Sequence, residues 1–175
     1  MLDSKDVLIN RVASSGIITF NLEDLFPKEE FYVFDLKDYL FKELILKEKD
    51  FRTALKEFDW STIQNKIVLV YCSSDAIIPL WAYMLVSSYA SEGATKIWQG
   101  TKESFLNHHY QEKINEIDPT QFDEKRVVIK GCSNQPVPPH AYAKMVELLK
   151  PHAQSIMFGE PCSTVPIFKR PRKLK

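Results

Sequence analysis

Cys72, Cys132 and Cys162 are the three cysteines of this chain, and each follows an apolar run that reads as a buried β-strand. Lys66–Tyr71 leads into Cys72-Ser73, Arg126–Gly131 into Cys132-Ser133, and Ser155–Gly159 into Cys162-Ser163 through Glu160-Pro161. Their separations of 60 and 30 positions suit βα units of about 30 residues. Open α/β sheets build their sites at the carboxyl ends of parallel strands, so one thiol per strand end is a candidate site. Thiolates are soft ligands that select zinc or an iron–sulfur cluster, and three of them need one further group for a four-coordinate set. The expected metal site is therefore Cys72, Cys132 and Cys162, with Asp75 or Glu160 as the fourth or a supporting group. This rests on placement alone, since the sequence holds no Cys-x-x-Cys pair.

Two other readings stay open. Cys72 precedes an expected helix amino terminus, whose partial positive charge favours a thiolate, so it is a candidate nucleophile with His140 as a candidate base. Asp75 opposes that reading, because a carboxylate there competes with the thiolate. Alternatively, all three cysteines are small, inert residues packed at crowded strand ends.

The elements that must position these residues are clearest after Lys66. The order is strand, helix, strand, helix, strand, helix, strand, with strands at Lys66–Tyr71, Thr95–Gln99, Arg126–Lys130 and Ser155–Phe158. Three of the four are continuous apolar runs, as expected for strands covered on both faces. Helices are expected over Ala76–Ser91, Thr101–Ile117 and Pro139–Leu149. The first is apolar nearly all round and should be deeply buried, with Asp75 as its cap. The third has proline at a favoured first position and is stopped by Pro151. Before Lys66, Ile17–Phe20, Phe31–Leu36 and Leu44–Leu46 read as strands and Phe51–Phe58 as a helix. Cys72 and Cys132 share an echo: a serine follows each, and Pro79 or Pro139 lies seven positions on, opening a helix that contains Ala-Tyr.

The expected fold class is α/β, with a mainly parallel sheet of about four core strands, flanking helices and extra N-terminal strands. Residues 1–168 are expected to form a single domain, with 169–175 an unpacked basic tail. A doubly wound order, with the second strand at the edge and the others in sequence beside the first, would make the three cysteine-bearing strands contiguous. The 23 basic and 23 acidic residues balance, so no field covering the whole molecule draws it to nucleic acid or membrane. No apolar stretch is long enough to span a bilayer. An odd cysteine count suits a reducing compartment, and a cytoplasmic location is expected.

Phe34-Asp35-Leu36-Lys37-Asp38-Tyr39-Leu40-Phe41, Cys72-Ser73-Ser74-Asp75-Ala76-Ile77-Ile78-Pro79-Leu80-Trp81-Ala82-Tyr83-Met84 and Gly159-Glu160-Pro161-Cys162-Ser163 resemble segments of the bacterial Domain of Unknown Function family 2480. So do Lys49-Asp50-Phe51-Arg52 and Val128-Ile129-Lys130-Gly131-Cys132, and the resemblance runs from about Ile17 to Arg170. It implies a small cytoplasmic bacterial protein with no established activity, and it points toward iron–sulfur assembly proteins as partners. The leading expectation is thus an accessory protein holding zinc or an iron–sulfur cluster on three cysteines. A thiol-dependent enzyme using Cys72 and a non-catalytic interaction protein are the alternatives.

Overall fold

The computed structural model describes residues 16–131, 134–160 and 162–171. Nine strands and four α-helices occur among them, and the chain divides into two compact units. One unit comprises Pro27–His108; the other takes the residues up to Phe26 and those from His109 onward.

In the Pro27–His108 unit, β2 (Phe31–Asp35), β5 (Ile67–Tyr71) and β6 (Lys96–Gln99) form a parallel sheet in the order β2-β5-β6. Ile67 to Val70 of β5 are all buried, as a central strand with both faces covered requires. Val68 and Val70 join the core made with α1 (Glu48–Glu57) and α2 (Leu80–Ala90). Phe51 and Leu55 of α1, one helical turn apart, enter the same core. So do Ala82, Val86 and Ala90 of α2. Trp60 stacks between Phe34 and Tyr89 while its indole N–H donates to the Leu55 carbonyl at 2.8 Å, which satisfies its polar edge. A short antiparallel ladder of β3 (Leu40–Phe41) and β4 (Ile45–Leu46) lies between β2 and α1 in sequence.

In the other unit, β1 (Ile17–Asn21), β7 (Arg126–Lys130), β8 (Ser155–Glu160) and β9 (Ser163–Lys169) form a sheet in that order, parallel except for the β8–β9 pair. The helix α4 (Pro139–Leu149) buries Ala141, Met145 and Leu149. The remaining helix, α3 (Lys102–Asn115), contributes Tyr110 and Ile114 to this unit's buried residues.

The two units repeat one plan at a constant spacing of 59 positions. Ile67 and Arg126 open β5 and β7, Leu80 and Pro139 open α2 and α4, and Lys96 and Ser155 open β6 and β8. Buried Ala82, Val86 and Ala90 correspond to buried Ala141, Met145 and Leu149, and Phe51 and Leu55 to Tyr110 and Ile114. Asn65 and Glu124, each two residues before its strand, both hold the left-handed conformation (φ 59° and 57°). Gly100 and Gly159 match as well, at φ 139° and 115°, where a side chain would be strained. Strands β1 and β2 repeat at a shorter spacing. Each is followed by a 3-10 turn, Leu22–Leu25 or Leu36–Tyr39, opened by the Asn21 or Asp35 side chain accepting the N–H two residues on. The Ala82-Tyr83 and Ala141-Tyr142 pairs of the sequence are one visible part of this duplication, while the Cys-Ser and proline echo, at a spacing of 60, lies one position out of its register.

The four expected core strands are present, but their order differs from expectation. β5 is flanked by β2 and β6, and β7 by β1 and β8, so β5 and β7 are not neighbours. The N-terminal strands occupy the places assigned to the junction, because β1 and β2 pair in parallel along the full length of β7 and β5. Helix α2 begins four residues later than expected, with Pro79 at its cap and no side-chain cap bond, so Asp75 does not cap it. The expected loose tail is packed at its start. Lys169 ends β9, and the Arg170 guanidinium donates to the carbonyls of Pro151 (2.6 Å) and Lys150 (3.3 Å).

Candidate functional site

Asp35 ends β2, and Tyr71 ends the neighbouring β5, so the chain beyond both strands meets at one end of the sheet. The half-buried Asp35 carboxylate accepts the Lys37 N–H at 3.0 Å, which starts its 3-10 turn, and the Ser73 N–H at 3.0 Å. Burial pushes this carboxyl up, but the hydrogen bonds from Ser73 and Lys37, with the Lys37 charge, outweigh it and hold the pKa below the usual carboxylate range. Beside it, the half-buried Cys72 Sγ lies 3.2 Å from the Ser74 hydroxyl. Tyr83 completes the group. Burial raises its phenol pKa, the neighbouring Cys72 adds to this, and a hydrogen bond with Gln99 opposes it.

This cluster braces the strand ends; it is poorly arranged for nucleophilic chemistry. The partner of Cys72 Sγ is a hydroxyl and not a base. The amino terminus of α2 lies eight residues beyond Cys72, outside the first turn over which a helix terminus acts.

The three-thiolate centre is overturned. Cys72 follows a strand of one sheet, whereas the strands preceding Cys132 and Cys162 belong to the other. Cys162 is exposed in the turn of the β8–β9 hairpin, and Cys132 lies outside the described residues. Glu160, the last residue of β8, pairs with Lys130 at 3.4 Å. Asp75 is exposed in a groove of about 430 Å³ shared with Leu44, Ile45 and Ile77. Among the described residues, no three His, Cys, Asp or Glu side chains are grouped to hold a metal ion.

The feature that sequence reasoning missed is a surface. Helix α2 has no charged residue, which suggested burial on every side. Instead, Ile77 is 91% exposed, Leu80 79% and Met84 72%. Leu44 and Ile45, from the β3–β4 turn and β4, are 67% and 61% exposed and line the same groove as Ile77. The signal lay in the spacing, because Leu80 and Met84, one helical turn apart, lie on the side opposite Ala82, Val86 and Ala90, while Ile77 precedes the helix. Nothing in their residue types distinguished that row from the core row. The other unit has a smaller apolar groove of about 240 Å³, lined by Tyr142, Val146, Met157, Phe158 and Ile167 among others.

The described residues thus define an α/β protein of two repeated units with parallel pairing at the centre of each. The chain belongs to the family described as Protein of unknown function (DUF2480), whose pattern matches residues 6–170. No curated protein and no solved structure matches it. No helix among the described residues is long and apolar enough to cross a membrane.

Proposed function

We propose that this chain is a non-catalytic interaction protein whose working surface is the apolar face of Ile77, Leu80 and Met84, extended by Leu44 and Ile45. The internal duplication carries this reading. The exposed positions of α2 and its C-terminal cap are Leu80, Met84, Ser88 and Ser91; the corresponding positions of α4 and its cap are Pro139, Ala143, Glu147 and Lys150. Both helices bury the same three positions, so the fold itself does not call for large apolar groups on the outer row. Exposed apolar surface that the architecture does not need is surface kept for a partner. The β3–β4 ladder adds to the same patch and has no counterpart among the described residues of the duplicated unit. A cytoplasmic setting is supported by the odd cysteine count and by the free thiols of Cys72 and Cys162.

Replacing Leu80 with a photo-reactive amino acid in cells tests the reading, with Glu147 as the control position. Cross-linked protein adducts are expected from position 80 and not from position 147. Absence of any adduct at position 80 would overturn the proposal.

A further inference from the structure

Resting on that reading, the geometry points to a second copy of this chain as the occupant of the α2 face. The outer row of α2 holds two large residues, Leu80 and Met84, followed by two small ones, Ser88 and the cap residue Ser91, all exposed. Two such helices packed antiparallel across a two-fold axis place Leu80 and Met84 of each copy against Ser88 and Ser91 of the other. That is the self-complementarity a symmetric dimer requires. The helix has eleven residues, so the paired segment is about 16 Å long, enough for the whole row to engage.

Charge and area favour the same occupant. The row has no charge, so it offers nothing to an acidic or basic partner; the carboxylates of Asp75 and Glu92 flank the helix outside it. A helix that lies on a membrane surface has lysine or arginine along its polar face, and α2 has neither. The five exposed apolar groups, Leu80 and Met84 on the row and Ile77, Leu44 and Ile45 off the helix, together present several hundred Å², the size at which an exposed apolar patch marks an interaction site and a large part of the roughly 800 Å² per partner of a stable interface.

Sedimentation velocity on the full chain, from low to high micromolar concentration, tests this. The unaltered protein is expected to sediment as two copies, with little change on raising salt, since no ion pair holds the row together. Leu80→Glu places an unpaired charge in the apolar row and should weaken association at least about 100-fold. Ser88→Trp fills the small half of the row without touching the core, so it should also give single copies, with an unchanged circular dichroism spectrum. Glu147→Ala, on α4, should leave the two-copy species intact. Two copies that survive both Leu80→Glu and Ser88→Trp would overturn the inference, as would single copies of the unaltered protein at every concentration. If single copies coincide with cross-linking of position 80 to a different protein, the second copy is wrong and the interaction reading stands. If they coincide with no cross-link, both fail.

Discussion

Replacing Tyr110 with phenylalanine should stabilise the protein. Tyr110 is fully buried on α3, and its hydroxyl has no hydrogen-bond partner among the described residues. A buried hydroxyl without a partner forfeits its hydration, at about 1–3 kcal/mol. The duplicated unit supplies an internal comparison, because the corresponding buried residue is Phe51. Tyr110→Phe removes the polar atom and keeps the ring, so a gain of roughly 1–2 kcal/mol is expected. For a chain of this size, that raises the thermal midpoint by about 2–8 °C. The pH dependence gives a second check. Burial, with a smaller contribution from the Glu23 charge, pushes the Tyr110 pKa from 10.0 up to about 12. The folded state therefore keeps its proton where the unfolded state releases it. Stability should fall in the unaltered protein as pH rises from 10 towards 12, by at most about 3 kcal/mol, and this contribution should be missing in Tyr110→Phe. Chemical denaturation of both proteins at pH 7 and across the alkaline range measures the difference. A less stable Tyr110→Phe protein would show that the hydroxyl is satisfied and that its isolation was misread.

Asp35→Ala removes the acceptor for the Ser73 and Lys37 N–H groups and should destabilise by about 1–2 kcal/mol in urea denaturation. Because the folded-state pKa of Asp35 lies below 3.8, its contribution is present above that value and lost as pH falls through the folded pKa; the variant should lack this acid-side loss. Arg170→Ala removes two guanidinium contacts to the Lys150 and Pro151 carbonyls and an ion pair with Glu124 at 3.5 Å. It should lower the thermal midpoint by a few degrees, on the order of 1 kcal/mol. An unchanged midpoint would show that this end of the chain is not anchored.

Most elements were legible locally. Pro139 and Pro151 bracket α4, and the continuous apolar runs of β5 and β7, too short for helices, read as strands covered on both faces. The strand β9 was missed because Thr164-Val165-Pro166-Ile167 contains a proline, which argues against a paired strand; the ladder accommodates it at a register shift in the edge pairing. The start of α2 was misplaced because Ala76, Ile77 and Ile78 continue its apolar spacing, while Pro79 fixes the cap beyond them.

The sequence by itself determined the α/β class, the alternation of strands and helices after Lys66, and the family. The first two follow from periodicity and punctuation within short stretches of chain, and the family from the likeness of whole segments to it. Only the tertiary structure decided which strands became neighbours. Parallel pairing joins residues far apart in sequence, and any of several apolar strands could satisfy β5 and β7 equally well. That choice separated Cys72 from the strands that precede Cys132 and Cys162, and so removed the three-thiolate site. It also decided which apolar row of α2 met the sheet. The residue types of both rows suit burial, and only packing left Leu80 and Met84 facing water.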